Sequence, residues 1–191
     1  MKTLLQSIPL TITDNFEPLV TMYRDIVDNL SEEPDSVQYV GPVLTSKVWK
    51  RSGCTVWEDT TVNESSWIMI GGQPVEESIP WFQKFKKQNA ELEPYMIYSE
   101  INQSIKPHRD ECFSLKSKMV KINYTIYTDS EADTTYLQCK DQIYSVPHRI
   151  GSAYIIDGLE RHWADIHGLW QMLTIGFTNI DVDECLKKLK L

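Results

Sequence analysis

Apolar residues recur at helical spacing near the start of the chain. Phe16, Leu19, Val20, Tyr23, Ile26, Val27 and Leu30 form a one-sided stripe that predicts a helix over about 15–30. Asp14, three residues before Glu17, resembles a capping box at its start. From about 37 to 70 the pattern changes to short segments, SVQYV, SKVWK, CTVWE and SWIMI, parted by polar and turn residues, which predict strands. Gly71-Gly72-Gln73-Pro74 breaks the chain, and a second helix is expected over roughly 75–90. There Ile79, Phe82 and Phe85 share a face, Pro80 lies in the first turns, and Lys84, Lys86 and Lys87 gather towards the end. Beyond Pro94 come YMIYSEI, MVKINYTIY, TTYLQC, QIYSV, SAYIIDG and QMLTIGF, a run of short strands that points to a sandwich or barrel. The expectation is a mainly β protein with two helices packed outside a compact antiparallel core. Without repeat or linker, residues 1–191 read as one domain, with 1–93 as a helical and strand support and 94–180 as the β core.

Composition narrows the function classes. Hydrophobic residues make up 41% and charged residues 24% of the 191, which disfavours disordered and membrane classes. A formal net charge of -8 supplies no general basic field, so long nucleic acids are not expected as partners. A local basic groove of Lys47, Lys50 and Arg51 stays open. The first residues, MKTLLQSIPLTITDNF, lack the apolar core and cleavage site of a signal peptide, and no run approaches the ~18 apolar residues that span a bilayer. Cys54, Cys112, Cys139 and Cys185 are scattered without a C-x-x-C pair, which excludes a zinc ribbon and suggests free thiols in the cytoplasm.

The histidines carry the candidate chemistry. All four (His108, His148, His162 and His167) follow residue 107. In an extended segment, residues i and i+2 point to one side, so His108 and Asp110 converge while Arg109 points away. A histidine from a distant strand would complete a two-His-one-carboxylate face that leaves three metal positions open. His162 and His167 are five apart, so on one strand they face opposite sides and only one turns to the metal. His162, which follows the turn after SAYIID, is favoured; His167 then caps the next turn, and His148, beside Pro147, reads as a solvated loop residue. Cys112, near Asp110, shows no sign of activation as a nucleophile. Trp49, Trp57 and Trp67 read as sheet packing; Trp163 and Trp170 flank the ligand strand, where a place in the core outweighs one beside a substrate cleft.

Three pieces, Ser104 to Asp110, Lys121 to Ile126 (KINYTI), and Gly151 to Gly158 leading to His162, stand in the order found in the 2-oxoglutarate and Fe(II)-dependent dioxygenases, which the stretch from about 95 to 178 resembles. It is closest to their aspartyl/prolyl-hydroxylase-like members. The resemblance implies a double-stranded β-helix (a cupin-like jelly roll), Fe(II) held by His108, Asp110 and His162, and 2-oxoglutarate as cosubstrate in hydroxylation of a small molecule or peptide side chain. The family usually holds the distal carboxylate of 2-oxoglutarate with an Arg on the strand after the second histidine, and this chain has Gln171 and Met172 there. Lys121 is the substitute anchor, because alternation in MVKINYTIY puts Lys121, Asn123, Thr125 and Tyr127 on the polar, cavity face. Such a lysine needs an anion, either the cosubstrate or an internal Asp or Glu. Gln171 would add polar support; Tyr98, or Tyr124 if its strand is reversed, would add a hydroxyl. Two alternatives remain: a cupin-like Fe(II) oxygenase that does not use 2-oxoglutarate, and a catalytically silent binding domain in which His108 and His162 lie far apart.

Overall fold

The computed structural model describes residues 4–40, 44–62, 65–110 and 118–191. Cys112 lies outside them. Among the described residues, thirteen strands pair antiparallel in two sheets. In the large sheet, β1 (Leu5–Ile8) lies beside β11 (Ala153–Asp157), followed by β8 (Met119–Thr128), β13 (Trp170–Thr178) and β6 (Tyr95–Ile101). It continues through β5 (Ser66–Gly71), β4 (Cys54–Thr61), β3 (Leu44–Arg51) and β2 (Ser36–Val40). The small sheet runs β10 (Gln142–Pro147), β9 (Thr134–Cys139), β12 (Arg161–Asp165) and β7 (Ile105–His108). The two sheets face each other as a double-stranded β-helix, and β2–β5 extend the large one beyond the barrel.

The large sheet buries both faces. On β8, Val120, Ile122 and Tyr124 join β13's Leu173, Ile175 and Phe177 in a core with α1 (Glu17–Val27) and α3 (Pro80–Gln88), through Leu19, Tyr23, Phe82 and Phe85. Fully burying each such side chain contributes about 1.5–3 kcal/mol. The opposite face, with Lys121, Asn123, Thr125, Met172 and Thr174, turns to the small sheet. No helix among the described residues is long and apolar enough to cross a membrane.

The helices depart from expectation. The 75–90 stretch is two helices, α2 (Gln73–Glu77) and α3, because Pro80 is the first residue of α3 and cannot continue a preceding helix. Asp14 does not cap α1, whose N-cap is Phe16 without a side-chain bond; Asn15 Oδ1 accepts from Glu17 N instead. The Asp14 carboxylate crosses to α3 and accepts from Trp81 N at 2.7 Å, satisfying a donor that α3's own N-cap, Ile79, leaves open. Asp14→Ala is therefore expected to cost about 1 kcal/mol in urea unfolding, as the loss of a cap does, with no effect on metal binding. A last helix, α4 (Val182–Lys188), capped by Asp181, went unread in the sequence. The basic groove does not form: Lys47 pairs with Glu58 at 2.8 Å, Arg51 with Asp35 at 3.0 Å, and Lys50 is bonded to Thr55.

Candidate metal centre

Three chain segments meet at one point between the sheets. β7 is the edge strand of the small sheet, a place where Pro107, lacking an N–H, is tolerated. Its last residue, His108, stands directly opposite His162 of β12, with ring centroids 4.4 Å apart. Asp110 follows β7, and its backbone N–H is held by Gly158 O at 2.9 Å. A Cβ on Gly158 would lie 3.0 Å from Asp110 Oδ2, so the bare glycine lets the carboxylate close in.

The donor atoms of His108, Asp110 and His162 all lie within 4.8 Å of one another. His162 Nε2 is 3.3 Å from Asp110 Oδ2, and His108 Nε2 is 3.7 Å from Oδ1. Ligands with bonds of about 2.1 Å at right angles stand ~3 Å apart, so a small inward movement completes a metal face. The tautomers suit that role. Nδ1 of His108 donates to Lys106 O at 2.8 Å and Nδ1 of His162 to Glu160 O at 2.9 Å, since a carbonyl only accepts, which leaves each Nε2 as a free lone pair. Asp110 Oδ2 is buried, paired with Lys121 Nζ at 2.6 Å and facing His162 Nε2. Two imidazole Nε2 atoms and a carboxylate are a donor set that fits a divalent cation.

Protonation states agree. Burial, then the neighbouring His162, pushes His108 down to about 4. Burial would raise Asp110, but the Lys121 ammonium and then His162 hold it well below the usual carboxylate range. Burial also works against the Lys121 charge, and the Asp110 carboxylate outweighs it and raises the pKa. The result is a neutral His108 imidazole beside one carboxylate and one ammonium, a state suited to binding a divalent cation.

The triad borders a cavity of about 80 Å³ between the sheets. Trp67 stands 5.1 Å from the His108 ring, and Trp170 closes the far side. A hydrogen-bonded rail lines the interior: Thr174 Oγ1 donates to Asn123 Oδ1 (2.8 Å), Asn123 Nδ2 donates to the Tyr154 hydroxyl (3.0 Å), and that hydroxyl shares a proton with Thr135 Oγ1 (2.8 Å). Across Asp59, Met69 and Lys121 this cavity adjoins a wider, largely apolar chamber of about 440 Å³.

Of the residues expected here from sequence, Lys121 and Asn123 line the cavity, and three do not. Gln171 faces the helices and donates to Glu100 at 2.9 Å; strand alternation puts its neighbour Met172 inside instead. Tyr98 is packed edge-on against Tyr23 and bonded to Glu100, and Tyr124 donates to Ile12 O at 3.2 Å, both in the helix-side core. His148 is not solvated. It is 1% exposed, stacks on Trp170 at 3.9 Å and shares a proton with Thr135. His167 lies at its turn, with its N–H on Asp133. Trp67, Asp59, Tyr154 and Thr135 were missed. Alternation in SWIMI marks Trp67 and Met69 as one face, but Tyr154 sits in a strand buried on both faces, where no alternation shows.

Burial pushes His148, like His108, down to about 4, below the ordinary histidine value of about 6.5. The unfolded chain then binds more protons than the folded one between those values. Stability present above pH ~6.5 is lost as pH falls towards ~4, by up to roughly 3 kcal/mol for each histidine. Asp59, raised by burial to about 6, opposes this with one group against two. Urea midpoints of the metal-free protein are therefore expected to drop between pH 6.5 and 4.5, less steeply in His148→Gln.

No protein-family model and no curated protein matches the chain. Solved structures do. An oxidoreductase of the 2OG-Fe(II) oxygenase family from Burkholderia pseudomallei superposes with a TM-score of 0.51 at 9% identity, covering 93% of this chain and 85% of that one. EvdMO1 gives 0.53 at 11% identity, covering 93% of this chain and 48% of the other. Tomato vicilin gives 0.38 at 13% identity over 58% of this chain, which spans 27% of the vicilin. At such identities the first two likenesses show the fold alone: a cupin-type jelly roll, shared with that oxidoreductase.

Proposed function

We propose that the protein is an Fe(II)- and 2-oxoglutarate-dependent dioxygenase that hydroxylates a small molecule or peptide side chain. The observation carrying this is the convergence of two Nε2 lone pairs and a buried carboxylate on a cavity with room for further ligands. The residues fit the metal: His108, His162 and Asp110 would hold Fe(II), whose chemistry when bound is the activation of oxygen against a C–H bond. The chain's own part is to fix both imidazole tautomers through Lys106 O and Glu160 O, to keep Asp110 ionised through Lys121, and to wall the site with Trp67 and Trp170. Lys121 is the one cation lining either chamber among the described residues, which makes it the candidate anchor for the acid cosubstrate. The free thiols of Cys54, Cys139 and Cys185 support a reducing compartment such as the cytoplasm.

A second reading, an Fe(II) oxygenase whose substrate meets the metal without 2-oxoglutarate, is favoured by one feature: Lys121 already lies 2.6 Å from Asp110, while Met172 takes the inward place where the family has an Arg. Anaerobic titration of 2-oxoglutarate into the Fe(II)-loaded protein separates the two. A saturable charge-transfer band in the visible, lost in His108→Ala, supports the first. Stoichiometric Fe(II) without a band moves the reading to the second, and no metal uptake defeats both.

A further inference from the structure

The chamber beside the metal cavity is walled by Leu44, Trp57, Met69 and Met119, and its volume of about 440 Å³ lies in the range of sites for drug-sized ligands (~300–1,000 Å³). Into this apolar space β4 projects Asp59, which borders both cavities. Among the described residues the charges around it do not balance: Asp59 and Asp110 face a single ammonium, Lys121, and that ammonium lies 2.6 Å from Asp110. Among the described residues no Lys, Arg or His nitrogen lies within 4.0 Å of the Asp59 carboxylate. Glu76, also on the chamber wall, is compensated by Lys86 at 2.6 Å.

A carboxylate among apolar walls carries a desolvation cost that a charged hydrogen-bond donor offsets better than a neutral one. Its carboxyl is accordingly pushed up by burial, to about 6. A divalent metal with the two carboxylates of a keto acid would add no net charge, so Asp59 would still be the unmatched group in a loaded site.

We propose that Asp59 selects the substrate, receiving a protonated amine on a molecule whose apolar body fills the chamber between Trp57 and Met119. This rests on reading the adjoining triad as an oxygenase centre, whose substrate class it names: an amine with a hydrophobic, aromatic-sized body. The amine would sit on the Asp59 side of the chamber, which places the carbons near it closest to the triad.

The test compares 4-phenylbutylamine with the neutral 4-phenylbutan-1-ol by calorimetric titration into the full chain, followed in parallel by tryptophan fluorescence. The amine is expected to bind about tenfold tighter or better, the worth of one charge-assisted hydrogen bond. In Asp59→Asn the two ligands should bind alike, while alcohol affinity and Mn(II) affinity stay as in the unaltered protein and the melting temperature does not fall, the cost of burying that charge being gone. Asp59→Glu should retain part of the preference. Equal binding of amine and alcohol to the unaltered protein, no binding of either, or an undiminished preference in Asp59→Asn overturns the proposal. That first comparison needs no variant and decides the matter even if Asp59→Asn fails to fold. If Mn(II) does not bind but the amine preference and its dependence on Asp59 persist, the oxygenase reading falls and the amine site stands.

Discussion

In His162→Ala, affinity for Fe(II) or Mn(II) is expected to fall by roughly a hundredfold or more, since even an outer-shell partner of a metal ligand is worth ~10–100-fold. Turnover of 2-oxoglutarate should disappear with it. Apart from its share in holding Asp110 ionised, His162 has little to do but offer a metal ligand. Its side chain makes one hydrogen bond, to Glu160 O, and the backbone pairings of β12 with β7 and β9 do not depend on the imidazole. The melting temperature should accordingly move by only a few degrees, as ordinary single substitutions do. Competition with a chelator measures the affinity, and the Mn(II) spin-resonance signal reports the free ion. Wild-type affinity in this variant would sink the three-ligand reading.

Lys121→Met should separate the hold of this ammonium on Asp110 from its proposed anchoring of the keto acid. Without it, Asp110 loses the largest influence holding its pKa down, and its carboxyl rises towards and beyond the usual range. A carboxylate must be deprotonated to bind the metal, so the pH at which Mn(II) uptake is half complete should move upwards. Uptake at pH 8 should survive. The keto acid should suffer more, its dissociation constant rising by about a hundredfold or more, since Met offers neither charge nor hydrogen bond. Folding stability should fall by roughly 3 kcal/mol or less, because the lysine side chain is 21% exposed and its pair with Asp110 is only partly desolvated. An unchanged keto-acid affinity would remove Lys121 as the anchor and strengthen the oxygenase reading without 2-oxoglutarate.

How much of this was legible follows from where each residue sits. The β core was readable because the large sheet's exposed and cavity-facing positions alternate with apolar ones, as in Val120, Lys121, Ile122 and Asn123, and the same parity brought His108 and Asp110 to one side. The separation of His162 from His167 told which one could turn inward. Parity also held the answer for Gln171: once Trp170 and Met172 face the barrel, Gln171 cannot. Position relative to the second histidine overrode that signal. Tyr98 and Tyr124 failed for a similar reason, since buried tyrosines on a sheet with two covered faces give no sign of which layer they enter. Asp14 reads as a cap of the nearest helix because local capping is the commonest use of such a residue, and a partner 67 residues away leaves no local trace. Asp59 gives no signal in the sequence because an isolated acid in a strand is an ordinary surface feature; only the sheet extension that carries it brings it to the border of both cavities.

Strand order adds a consequence for how the chain is made. β13 lies between β8 and β6, so the large sheet has a gap at its middle until residues 170–178 emerge during synthesis. His108 and Asp110 are formed well before the sheet that orients them, and His162 arrives only just ahead of β13. Contacts so distant along the chain make for slow closure. A ribosome-bound chain stopped after β11 should hold neither a closed barrel nor a chelating face. Any metal-holding face would thereby form only once β12 and β13 are in place.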